Sequence, residues 1–263
     1  MTSAIDFTPV TITLAGRIIP DAADEIIAYL EGRVKRTSQR IQDYDYGAFL
    51  RRQAFGDGSS PHRITEGTIT SANKLKGRLA HSQLPDWYRP REEACNWDLV
   101  STDQTFVTCD PSGCRGAYEN VCAIWYNFQP LQVLGHKEFN VGGTQINKVL
   151  HQVLPDLIPI FDDKLFRLYF NGDFRDEAKR ICRDVVEKRD VGRCSNEYND
   201  GFLWEPLRRD MAEISMDNFK MIRDQVVTRP CNNDIMLAGA RAQVWAARNL
   251  SDVRLIDMIA WQL

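Results

Sequence analysis

The chain has 263 residues, 43% of them hydrophobic and 26% charged, enough to close a core of ordinary size in one domain. Lys+Arg 33 against Asp+Glu 36 leaves a formal charge of -3, which disfavours any whole-surface attraction to nucleic acid. No apolar run reaches the roughly 18 residues a membrane helix needs, and MTSAIDFTPV carries no leader pattern, so a soluble protein of the cytosol (cytoplasmic) or nucleus is expected.

In chain order, FTPVTITLAG (7–16) alternates in part and predicts a small N-terminal β-hairpin. Pro20-Asp21 then opens a helix whose Ile26, Ile27, Leu30 and Val34 share one side, with Asp21 as its cap. GDGSSPH (56–62) breaks the chain. Residues 64–80, ITEGTITSANKLKGRLA, regain helical spacing through Ile69, Ala72, Leu75 and Leu79, with Pro85 as the expected stop. TFVT (105–108) is a short strand-like run inside a loop that extends to 122.

The seven cysteines are odd in number and read mostly as free thiols. The tightest group, Cys109, Cys114 and Cys122, has no CxxC knuckle and no histidine close by, so no metal is expected. In the second half, Ile146, Val149, Leu150, Val153 and Leu154 mark one amphipathic helix, and Ala178, Ile181, Cys182, Val185 and Val186 mark another. The last stretch, with Leu255, Ile256, Ile259, Ala260 and Leu263 widened by Val253, Met258 and Trp261, reads as a helix buried between others. Within it Asp257 calls for Arg254, three residues back, as its counter-charge. The class is mainly α, one compact helical domain over 1–263, with a helix-hairpin-helix-like core at 135–170. Any subdivision would fall near 125–135.

Chemistry concentrates in GHKEFNVGGTQINKVLHQVLPDLIPIFDDKLFRLYF (135–170). Gly142 and Gly143 make a tight turn just before a helix, where free backbone N–H groups suit an anion. That helix carries Lys148 and His151; Pro155 to Pro159 bound a short link; Asp162 caps the next helix and Asp163 sits in its first turn. On a helical wheel Lys148 lies opposite the apolar stripe, beside Thr144 and His151. Under solvent it is an ordinary surface lysine. Under a covering wall, Lys148, His151 and Asp162 border one cleft, and a lysine must be buried or crowded to lose its proton from a reference pKa of about 10.4. Trp125-Tyr126-Asn127-Phe128, with Trp87, Tyr88 and Trp97, could line a pocket, although core packing explains the same residues. No Walker, Rossmann, HExxH or GxSxG pattern occurs, so no cofactor is expected.

The pattern GGTxxxKxLHxxxPxLIPIxDxxxxR, carried by Gly143, Lys148, Leu150, Pro155, Leu157, Ile158, Pro159, Asp162 and Arg167, resembles a group of uncharacterised, mainly bacterial proteins of unknown function. HRITEGTITSAN (62–73) and SDVRLIDMIAWQL (251–263) are weaker likenesses to the same group. More distantly, the window resembles the helix-hairpin-helix DNA glycosylases, with Phe139-Asn140-Val141-Gly142-Gly143 in place of Leu-Pro-Gly-x-Gly and a shorter interval from lysine to aspartate. That likeness implies a phosphate held at Gly142 and Gly143, Lys148 as nucleophile, and Asp162 stabilising positive charge on a sugar. An enzyme of hydrolase or lyase type acting on an N-glycosidic or similar bond of a nucleobase-containing substrate is then expected. Catalysis would rest on Asp162, Lys148 and His151, and binding on Gly142, Gly143, Trp125, Tyr126 and Arg167. The alternative is a small-molecule enzyme of cyclase, hydrolase or lyase type, or a ligand-binding protein, using an aromatic-lined helical pocket without nucleic acid.

Overall fold

The computed structural model describes residues 7–30, 64–74, 79, 84–95, 97, 105–108, 132–133, 136–137, 143–188, 203–229, 248 and 250–263. Among them the protein is mainly helical with a small N-terminal β-hairpin. Strands β1 (Ile12–Leu14) and β2 (Arg17–Ile19) pair antiparallel, Ile12 opposite Ile19 and Leu14 opposite Arg17. The two-residue turn between them places Ala15 at φ 49° and Gly16 at φ 71°. A positive φ suits glycine but strains alanine. Asp210 holds that turn, its Oδ2 accepting from the Ala15 N–H at 2.6 Å and from the Tyr169 hydroxyl at 2.7 Å.

Helix α1 (Ala22–Leu30) follows, its first turn closed by Asp21 Oδ1, which accepts from the Asp24 N–H at 3.2 Å. Helix α2 (Glu66–Lys74) stops short of Leu79; Asn73 turns back on it, its side chain donating to and accepting from the Leu79 backbone. Proline 85 does not end a helix but sits at the start of one, α3 (Leu84–Ala94). Proline lacks only an N–H, and the first turn has no intrahelical use for it. The TFVT run is likewise a turn and not a strand: Thr105 and Thr108 close it by mutual hydrogen bonds, and the Phe106 N–H donates to the Asp156 carbonyl at 2.6 Å. A two-residue pair, β3 (Gln132–Val133) with β4 (His136–Lys137), makes a second small hairpin that the alternation of the sequence does not reveal.

The predicted helices of the second half are α4 (Gly143–Val153), α5 (Asp163–Phe170), α6 (Arg175–Lys188) and α9 (Asp252–Gln262). Between them lie α7 (Glu205–Ala212) and α8 (Met216–Thr228), the latter capped by Ser215 Oγ on the Asn218 N–H at 3.1 Å. Helix α9 packs on α1 and α5, α1 also on α8, α2 along α4, and α6 against α5 and α7. One continuous apolar core joins the hairpin to α9, with Trp87, Trp204, Tyr169 and Phe106 fully enclosed. Helix α9 is buried through Ala260, yet Leu263 emerges at 37% exposure instead of ending inside the core.

Candidate functional site

The helix–link–helix unit of α4 and α5 is clipped together by its own polar side chains. Asn147 Nδ2 donates to the Phe161 carbonyl at 3.0 Å, and His151 Nδ1 lies 2.6 Å from the Ile158 carbonyl. A carbonyl only accepts, so Nδ1 carries the ring hydrogen and Nε2 is the acceptor side. From outside, Ser251 Oγ donates to the Pro155 carbonyl at 2.8 Å. Link carbonyls 155, 156, 158 and 161 are thus all bound, which satisfies a buried non-helical backbone.

This packing buries Lys148 and Asp162 near enough for the ammonium to act on the carboxyl. Their exposures are 8% and 6%, so the polar side of α4 is covered by a wall and is not the solvated face a helical wheel suggests. Asp162 caps α5 with Oδ1, which accepts from the Lys164 N–H at 2.9 Å and the Leu165 N–H at 3.4 Å; capping uses one of its two oxygens. Burial raises its carboxyl pKa above the usual range, opposed by the Lys148 ammonium, the two cap N–H groups and the Arg254 guanidinium. His151 is fully buried, and burial, helped by the charge of Arg254 and opposed by the Ile158 bond, pulls its imidazole down to about 3. At neutral pH it is an uncharged ring tied to a carbonyl.

Helix α9 supplies what the sequence reading leaves out of the site. Arg254, 2% exposed, is ion-paired with Asp257 one turn on, as the spacing predicts, and donates to the Tyr29 hydroxyl of α1 at 3.1 Å. Tyr29 meets Trp261 edge-on, ring centres 6.3 Å apart, and the Lys164 ammonium lies over Trp261 at 5.9 Å. Two cations, two carboxylates and a neutral imidazole from three elements therefore share one buried neighbourhood. An ionised group taken out of water costs several kcal/mol unless it is paired, so the cluster needs all its members. The signal for Arg254 was its place in an apolar helix, where a charge demands a partner.

Other expectations fall elsewhere. Arg167 is exposed on α5, away from the buried face that carries Leu165, Leu168 and Tyr169. Gly143 begins α4, but Gly142, Trp125 and Tyr126 lie outside the described residues, as do Cys109, Cys114 and Cys122. The aromatic rings seen beside the cluster are Tyr29 and Trp261. The Cys95 and Cys182 thiols are pushed up to about 12 by burial and by neighbouring Glu92 and Glu205 respectively, hence unreactive. No group of three potential metal ligands occurs among the described residues. No family model, curated protein or solved structure matches the chain.

Proposed function

We propose that the protein is an enzyme acting on a small molecule, with Asp162 and Lys148 as its reacting pair and no nucleic acid involved. One observation carries this: a carboxylate and an ammonium on different elements, each more than nine-tenths buried, act on each other inside a helical core. A carboxyl raised by burial holds and releases a proton nearer neutral pH than a free one, which suits general acid–base work or the stabilisation of a positive centre. Lys148 supplies fixed charge beside it. His151 is a structural clip here, since its Nδ1 hydrogen is committed to the Ile158 carbonyl. The depth of the pair and a chain charge of -3 favour a compact ligand over a duplex, which needs a broad basic face.

The glycosylase-like reading keeps one favouring observation, a helix beginning at Gly143 that bears Lys148 and turns back to Asp162 at the next helix's N-cap. A thermal-shift screen of small metabolites, nucleosides included, separates the readings when run on wild type and Asp162→Asn. A ligand that raises the wild-type midpoint by several degrees and leaves the variant's unchanged supports a small-molecule site. Ligands that shift both proteins equally, or tight DNA binding that weakens steeply with salt, refute it.

A further inference from the structure

We infer that Trp261 and Lys164 form a cation site at the rim of the Asp162 cluster, built to take a small organic ammonium ion in place of the Lys164 side chain. The inference rests on reading that cluster as a ligand site.

Trp261 is half-buried near the end of α9, with an electron-rich face toward which a cation already points: Lys164 Nζ stands 5.9 Å from the ring centre. That distance is at the outer reach of a cation–π contact, about 6 Å, so the ammonium is loosely held. Lys164 is exposed and its side chain is a flexible stem that can swing into water without unpacking anything. Trp261 is held from behind its site by Tyr29 and not by Lys164. Tyr29 stands at 82° to Trp261, and its hydroxyl accepts from Arg254, whose guanidinium lies 5.6 Å from the Tyr29 ring centre.

Both rings thus face positive charge, one buried and permanent, the other exposed and replaceable. The backbone N–H of Lys164 is bound by Asp162 Oδ1, which ties the rim directly to the carboxylate of the cluster. A methylated ammonium is less hydrated than a lysine ammonium and loses less on leaving water for an aromatic face, so it competes well for this position.

Tetramethylammonium chloride, titrated into the full chain and followed by saturation-transfer NMR of its methyl protons against equal sodium chloride, is the test. Saturable binding is expected, tightened about threefold or more in Lys164→Gln, where the competing charge is gone, and weakened about fivefold or more in Trp261→Leu. Trp261→Phe keeps a ring and the helix packing and should fall between wild type and Trp261→Leu. Absence of saturable binding in Lys164→Gln, or equal affinity in all four proteins, overturns the inference. The two proposals fail differently: no saturable tetramethylammonium binding, with an Asp162-dependent ligand still found in the thermal-shift screen, removes the cation site alone, whereas no Asp162-dependent ligand removes the small-molecule reading of Asp162 and with it the rim's place in a ligand site.

Discussion

Asp162 is a helix cap that also belongs to a buried group of charges. Oδ1 caps α5, and asparagine can accept the same two N–H groups. Asp162→Asn and Asp162→Ala both take the carboxylate away from buried Lys148, so the cap is read as the difference between them: Asp162→Ala is expected to be less stable than Asp162→Asn by about 1–2 kcal/mol in urea unfolding. His151 has a different signature. In the unfolded chain its ring takes up a proton below about 6.5, whereas in the fold it stays neutral down to about 3. Between those values the unfolded state binds more protons, so this residue makes stability fall as pH falls, by up to about 1.4 kcal/mol per pH unit. Asp162, raised by burial, pulls the other way. The effect is thus isolated as the difference between wild type and His151→Asn in urea midpoints from pH 4 to 7. The gap should widen in the variant's favour toward acid, and a constant gap would contradict the buried neutral ring.

At the scale of elements, the link between α4 and α5 is held both by side chains of α4 and by segments outside the unit. Ser251 is the clearest case, because one hydroxyl accepts from the Arg254 N–H at 3.2 Å, capping α9, and donates to the Pro155 carbonyl. Removing it in Ser251→Ala costs a cap and leaves a link carbonyl short of a partner, together about 1–2 kcal/mol. Ser251→Thr should recover most of that in the same urea experiment. A loss no larger than that of a surface Ser→Ala would show that α9 docks on the link through apolar contact alone. Elsewhere, Glu205 serves a similar joining role: 1% exposed, it binds Arg208 at 2.7 Å and Arg209 at 2.9 Å, and Arg208 reaches the Val107 carbonyl at 2.9 Å.

For the whole molecule, charge is the deciding quantity. A formal charge of -3 gives no net attraction to a phosphate backbone, and the small-molecule proposal expects no basic face to make up for it. Fluorescence anisotropy with labelled single- and double-stranded DNA should show no salt-sensitive binding at about 50 mM salt. A steep inverse dependence on salt would instead point to a basic face and favour the glycosylase-like reading.

Periodicity and local rules sufficed for most elements: the N-terminal hairpin, α1 with its Asp21 cap, α4, α6, α9 and the Asp162 cap all follow from spacing and capping chemistry within a few residues. Pro85 misled because its effect depends on whether it falls in a helix's first turn or its interior, and two-residue strands such as β3 and β4 are too short to show alternation. The environment of Lys148 could not be read at all from its own helix. A wheel shows which residues share a side, but only tertiary packing, such as α2 along α4 and the link folded back on it, determines whether that side meets water. The altered acidity of Asp162 and His151 comes first from that burial and then from charges such as Arg254, about a hundred positions away in sequence.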